Sequence, residues 1–237
     1  MADRVTTVIP SGVTNAVLAT ALETYIGMDP STAHQYFNDF DVFTTGDWTN
    51  TATGSPTNAL TAGNGGILSM ANTTSSADLD QLTLKVATFA FAAGMQVWFK
   101  ARFQIADATN SMIILGLQNL NTNAFAATDG VWFQKLSGVT TGNIVLSASS
   151  TQTVGGSTVT LANATWANVG WYYDGAAMNP YFNDTPVGNP ATTNLPAAGT
   201  NLAVTIAVKN GSAAGQTLLL DYVMVAAERQ VDTLHVG

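Results

Sequence analysis

Residues 95–105 read MQVWFKARFQI. Val97, Phe99, Ala101, Phe103 and Ile105 fall on one parity; Trp98, Lys100, Arg102 and Gln104 fall on the other. Successive side chains of a β-strand leave on opposite faces, so this period of two predicts a strand. One face is wholly apolar and the other polar apart from Trp98, the pattern of an antiparallel strand packed on one side and solvated on the other. Trp98 points away from the apolar row and is therefore the candidate surface ring.

Working outward, the same reading predicts strands over residues 67–71, 81–88, 112–118, 131–136, 144–149, 158–161, 166–173, 179–183, 202–209 and 217–226. A first strand starts near Gln35, with Phe37, Asp39 and Asp41 on one parity and Phe40 and Val42 on the other, and ends in the Thr44-Thr45-Gly46-Asp47 turn. The separators carry turn chemistry: Asp129-Gly130, Gly155-Gly156, Asp174-Gly175, Asn183-Asp184 and Asn210-Gly211. About a dozen evenly spaced strands predict an all-β fold, a two-sheet antiparallel jelly-roll sandwich.

The N-terminal segment differs. "MADRVTTVIPSGVT" reads as an extended arm, and Thr14 or Asn15 caps a predicted helix over residues 16–26. Val17, Leu18, Ala21, Leu22, Tyr25 and Ile26 recur at helical spacing, so the helix is amphipathic. The expected organisation is arm and short helix at 1–35, sandwich at 36–229 and a tail at 230–237. The arm (Val5, Val8, Ile9) and the helix face (Val17, Leu18, Leu22, Tyr25) are the expected partner-binding residues.

Composition restricts the chemistry. Of 237 residues, 46% are hydrophobic and only 9% charged, against about a quarter charged in an ordinary soluble domain. Neutral polar groups must therefore supply most of the surface, and these are less costly than charges to bury against another polar surface. The net charge is −8 and the seven basic residues form no stripe, which argues against nucleic acid. No 18-residue apolar run is present and Pro10 and Gly12 interrupt the early hydrophobic stretch, so neither a membrane span nor a signal peptide is expected. Zero cysteines remove disulfides and thiol chemistry.

Catalysis finds little to work with. The chain has two glutamates, Glu23 and Glu228, near its ends. Glycoside cleavage needs a close carboxylate pair. The pairs Asp39/Asp41 and Asp78/Asp80 have the spacing that puts two carboxylates on one strand face. The first flanks Phe40 and the second sits in a Ser/Ala-rich stretch, so structural roles are expected for both. His34 and His235 fall outside the predicted sandwich, and no G-x-S-x-G elbow is present. Asn119, Asn121, Asn123 and Asp129 offer oxygens of the kind calcium takes, but match no EF-hand loop. Asn supplies turn geometry unaided, so a turn, and no cofactor or metal, is expected there.

Six segments form an ordered series: "YFNDFDVFTTGDWTNTATG" at 36–54, "GNGGILSMANTT" at 63–74, "AGMQVWFKARFQIADATNS" at 93–111, "TDGVWFQKL" at 128–136, "NVGWYYDG" at 168–175 and "TLLLDYVMVAAER" at 217–229. The series resembles the concanavalin A-like (laminin-G-like) jelly-roll domains in structural proteins of tailed bacteriophages. The resemblance implies a non-enzymatic virion component, in particular a capsid decoration (cement) protein, and equally allows another head or tail structural protein. Such a protein is made in the host cytoplasm and binds the major capsid protein of the same particle. It also implies self-association, for which a trimer would fit a pseudo-threefold capsid site. The alternative is a glycan- or receptor-binding module of a phage tail or vertex, using Trp98.

Overall fold

A computed structural model describes residues 33–63 and 65–229. The predicted arm, helix and tail, with Val5, Val8, Ile9, Val17, Leu18, Leu22 and Tyr25, lie outside the described residues.

The described residues form fifteen strands in two antiparallel sheets. One sheet contains β1 (Ala33–Asn38), β3 (Thr57–Gly63), β4 (Gly65–Ala71), β6 (Val97–Ile105), β11 (Ala167–Tyr173), β12 (Met178–Phe182), β13 (Thr185–Pro186) and β15 (Thr217–Glu228). Its order is β13-β12-β11-β6-β15-β4-β3, and β1 joins β15 on the same edge as β4, farther along the strand. The other sheet runs β10-β9-β8-β7-β14-β5-β2. Its members are β2 (Trp48–Thr53), β5 (Leu79–Leu84), β7 (Ser111–Gln118), β8 (Gly130–Lys135), β9 (Thr141–Ala148), β10 (Thr151–Thr160) and β14 (Ala203–Asn210). The all-β two-sheet sandwich expected from the periodicity is the observed architecture.

The core lies between the sheets and follows the predicted parity. Val97, Phe99, Ala101, Phe103 and Ile105 are all buried, facing Ile113, Leu115, Leu117, Val204, Ile206 and Val208 of the other sheet in one cluster. Trp171 stacks on Phe99 at 5.6 Å and 14°, and Phe103 meets Phe133 at 5.7 Å. Aromatic pairs at such distances are worth about 0.5–1.5 kcal/mol beyond the area they bury.

Four local readings are corrected. β2 and β3 add to the expected strands; WTNTAT and TNALTAG are edge strands with mostly exposed side chains and carry no alternation. Gly155-Gly156 is not a separator but lies inside β10, where the register with β9 shifts between Gly155 and Val159. The first strand stops at Asn38: Phe40 adopts φ 57° and turns into the core, so Asp39 and Asp41 share no strand face. His34 belongs to the sandwich, pairing with Ala227 in register and lying against the Phe89 ring at 4.7 Å.

Candidate functional site

The outer face of the seven-stranded sheet is closed by the protein itself. Residues 119–129 fold back across it, carrying a 3₁₀ turn at Ala124–Ala126. Leu79, Ile114, Trp132, Val145 and Ala207 from the sheet bury an apolar patch under Ala124, Ala127 and Phe125 of this loop. Two buried glutamines fasten it. The Gln81 carbonyl oxygen accepts from Ala124 N–H at 2.7 Å, and its amide donates to Asn121 O at 3.0 Å. Gln118 donates to Ala124 O at 2.9 Å. Buried amides are worth keeping only when paired in this way.

The asparagine cluster is the framework of the same loop. Asn121 Oδ1 accepts from Asn123 N–H at 3.0 Å, Asn123 Oδ1 from Phe125 N–H at 3.1 Å and Asn119 Oδ1 from Asp129 N–H at 3.2 Å. Asp129 Oδ1 accepts from Ser149 N–H at 2.9 Å. The Asn121 and Asn123 oxygens build Asx-type turns, whereas Asn119 and Asp129 tie the two ends of the loop together and to the Ser149 turn. Among the described residues no group of three His, Cys, Asp or Glu side chains is placed to hold a metal.

The outer face of the eight-stranded sheet is the more open one and carries the polar row of β6. Lys100 Nζ pairs with Asp184 Oδ1 at 2.5 Å, and Arg102 Nη1 with Asp221 Oδ2 at 2.6 Å. Asp221 reaches Arg102 because the β15 register shifts between Leu220 and Tyr222, a bulge that re-aims the side chain. The Arg102 guanidinium also lies 4.7 Å from the Trp166 ring centroid. Burial, helped by Asp184 and Asp221 and opposed by Arg102, pushes the Tyr222 hydroxyl up to about 12. The face is therefore a row of neutralised ion pairs and aromatic rings, suited to contact rather than proton transfer.

Trp98 sits on this face, as its parity predicts, but is not a surface ring. It is buried, stacks on Tyr172 at 5.3 Å and 18° and packs with Ala226 and Met224. Its reading as an exposed glycan platform is corrected: Tyr172 from β11 and Ala226 from β15 are in register on either side and close over it. Its indole N–H is buried without an acceptor.

The acidic pairs singled out in the sequence do not converge. Asp78 is buried against the Thr73 hydroxyl and Ser75 N–H, and Asp80 faces the core from β5. Asp107 and Asp174 are held below the ordinary range. For Asp107 the side chain of Asn110 is the largest cause; for Asp174 burial acts in the opposite sense, and hydrogen bonds from Ala177, Ala176 and Asn179 outweigh it. Glu228 accepts from Gln96 N–H at 2.9 Å. Burial lowers the pKa of His34, with Arg229 adding to it, and its Nε2 lies 3.0 Å from the Thr88 hydroxyl.

A shallow cleft of about 410 Å³ that the sequence did not announce opens where β10 meets residues 187–193. Thr153, Val154, Ser157, Asn189, Pro190 and Thr193 are among its lining residues, all of them uncharged. Gly156 (φ 76°) and Gly188 (φ 74°) lie back to back there; a Cβ on Gly188 would meet Ser157 N at 2.4 Å. Asn194 Nδ2 donates to the hydroxyl of the lining Thr153 at 2.7 Å.

No family model matches the chain, and no curated protein matches it. Solved structures do. A protein of unknown function, SO2946 from Shewanella oneidensis MR-1, superposes with a TM-score of 0.62 at 14% identity, over 90% of this chain and 95% of that one. The Emp47p carbohydrate recognition domain gives 0.58 at 9% identity, over 84% and 98%. The carbohydrate esterase vb_24B_21 from Shiga toxin-encoding bacteriophage phi24B gives 0.52 at 12% identity, over 82% and 97%. The fold is thus a concanavalin A-like, lectin-type sandwich, one that carries both binding domains and enzymes.

Proposed function

We propose that this chain is a non-enzymatic structural protein of a tailed-phage particle, specifically a capsid decoration protein that binds the assembled head and strengthens contacts between subunits. The observation that carries the non-catalytic part is how the carboxylates are used. Eight of the eleven described carboxylates, Asp78, Asp80, Asp107, Asp129, Asp174, Asp184, Asp221 and Glu228, serve as structural acceptors or ion-pair partners, and of the other three, Asp39, Asp41 and Asp47, the candidate pair Asp39/Asp41 shares no strand face. A general acid needs a carboxyl within reach of substrate and near its working pKa. The particle assignment rests on the ordered resemblance of residues 36–229 to phage jelly-roll proteins. The sparsely charged surface supports it, because such a surface loses little on burial against another polar one. A protein that binds only the assembled state stabilises that state by mass action, multiplied over symmetric sites. On this reading Val5, Val8, Ile9, Val17, Leu18, Leu22 and Tyr25 contact the capsid, and copies associate with one another. Quantitative mass spectrometry of purified particles tests it: on the order of hundreds of copies per particle is expected from decoration of a symmetric shell. A handful of copies places the protein at the tail or vertex, and absence ends the virion assignment.

The second reading is glycan binding, and the uncharged cleft favours it. Hydroxyls of Thr153, Ser157 and Thr193 and the Asn189 amide offer the donors and acceptors that a neutral saccharide needs, beside the exposed Val154 and Pro190. Titration with a panel of neutral oligosaccharides is expected to give saturable binding, weakened about tenfold or more in Asn189→Ala, a loss of roughly 1.4 kcal/mol. Failure of every saccharide to bind removes this reading and leaves the first untouched.

A further inference from the structure

Asp80 and Asn58 meet in the space between the sheets. Asp80 comes from β5, and Asn58 from β3, the edge strand of the opposite sheet. Asn58 Nδ2 donates to Asp80 Oδ1 at 3.2 Å. That bond leaves two buried oxygens of the same pair without a donor, Asp80 Oδ2 and Asn58 Oδ1. An ionised carboxylate only accepts, so it can do nothing for the carboxamide oxygen. Stranding two buried acceptors leaves the desolvation cost of each uncompensated. One proton satisfies both: placed on Asp80 Oδ2, it turns that atom into a donor toward Asn58 Oδ1. The acid and the amide then share two hydrogen bonds in a ring.

We propose that Asp80 is held as the neutral acid in the folded protein and forms with Asn58 a proton-dependent clasp between the two sheets, which weakens as the pH rises toward neutrality. The surroundings favour the neutral form. In register, Asp80 lies between Val208 of β14 and Ala52 of β2, and Asn58 lies beside Met70 of β4. Strands β2, β3 and β4 carry no ionisable residue, and on β14 Lys209 has the opposite parity to Val208. Asp78, two residues away, is turned to Thr73 and Ser75. Burial accordingly raises the Asp80 carboxyl to about 6, against a smaller opposing effect of the Asn58 bond.

The sign follows from linkage. A carboxyl that ionises near 3.8 in the unfolded chain and at about 6 when folded binds more protons in the folded state between those values. Its contribution is complete below the unfolded value and is lost as the pH rises through about 6, a change of roughly a hundredfold in the folding equilibrium constant. Asp107 and Asp174, whose pKa values are lowered, act in the opposite direction, so the wild-type curve alone mixes these effects.

The isosteric Asp80→Asn variant isolates the clasp, since an amide pair keeps both hydrogen bonds at any pH. Urea unfolding of both proteins, from about pH 4 to about pH 8, gives the ratio of their folding equilibrium constants. That ratio is expected to shift by roughly a hundredfold in favour of the variant as the pH rises. A ratio that does not change with pH overturns the proposal. If the variant does not fold, the ¹³C resonance of the Asp80 carboxyl in the wild type decides: a midpoint near 6 supports the clasp, and one at the ordinary aspartate value of about 3.9 overturns it.

Discussion

Trp98→Ala is expected to cost about 3–5 kcal/mol of stability, with the urea midpoint and Tm falling accordingly, by roughly 10 °C in Tm. The ring is completely buried, and it is stacked on Tyr172 and packed on Ala226. Truncation removes that packing and leaves a cavity between β11 and β15 that two flanking strands, each fixed by its own ladder, cannot collapse to fill. Trp98→Phe should cost much less: it keeps an aromatic face for Tyr172 and removes an indole N–H that has no acceptor. Oligosaccharide binding per mole of folded Trp98→Ala protein should be unchanged, because no surface of the ring is available to a sugar. An alanine variant within about 0.5 kcal/mol of wild type, or one with selectively lost saccharide binding, would return Trp98 to the surface.

The same residue shows how far the sequence could be read. Alternation along β6 places every side chain on its correct face, because parity is a property of the strand alone. Burial on the outer face is not local. It depends on Tyr172 and Ala226 arriving in register from strands far along the chain, which no period within residues 95–105 encodes. The edge strands β2 and β3 carry no readable period for a related reason. With both faces largely exposed, nothing selects an apolar parity.

Turns divide along similar lines. Asn183-Asp184 is legible because both residues tolerate the left-handed region they occupy. The hairpin between β9 and β10 turns on Ser149 (φ 50°) and Ser150 (φ 67°), a pair with no such preference. Tertiary contacts hold it: Ser149 N–H donates to Asp129 Oδ1 at 2.9 Å and Ser150 N–H to Thr128 O at 2.9 Å. The candidate sites split in the same way. The asparagine loop reads correctly as a turn from composition, whereas the cleft forms from segments joined only by the fold, and Asp80 faces the interior only because β5 begins at Leu79.

Gly66→Ala should be nearly as damaging as removing a core aromatic, although it adds only a methyl group. A Cβ at Gly66 would lie 1.5 Å from Phe40 O and 2.0 Å from Phe40 C, and these are backbone atoms with no rotamer to yield. Gly66 N–H also donates to Asp39 O at 3.0 Å, tying β4 to the bend that carries Phe40. To admit the methyl group, residues 39–41 must move, and Phe40, buried and held at φ 57°, must leave its place in the core cluster. The expected loss is therefore that of Phe40→Ala, about 3–5 kcal/mol, and not the few tenths typical of a surface change. A double-mutant cycle makes the mechanism visible. If Gly66→Ala acts by expelling the Phe40 ring, the Phe40→Ala/Gly66→Ala double variant costs little more than either single change, a coupling nearly as large as one single loss. Additive losses in urea unfolding would show that the two residues act separately and that the close approach of β4 to the bend is not what seats Phe40.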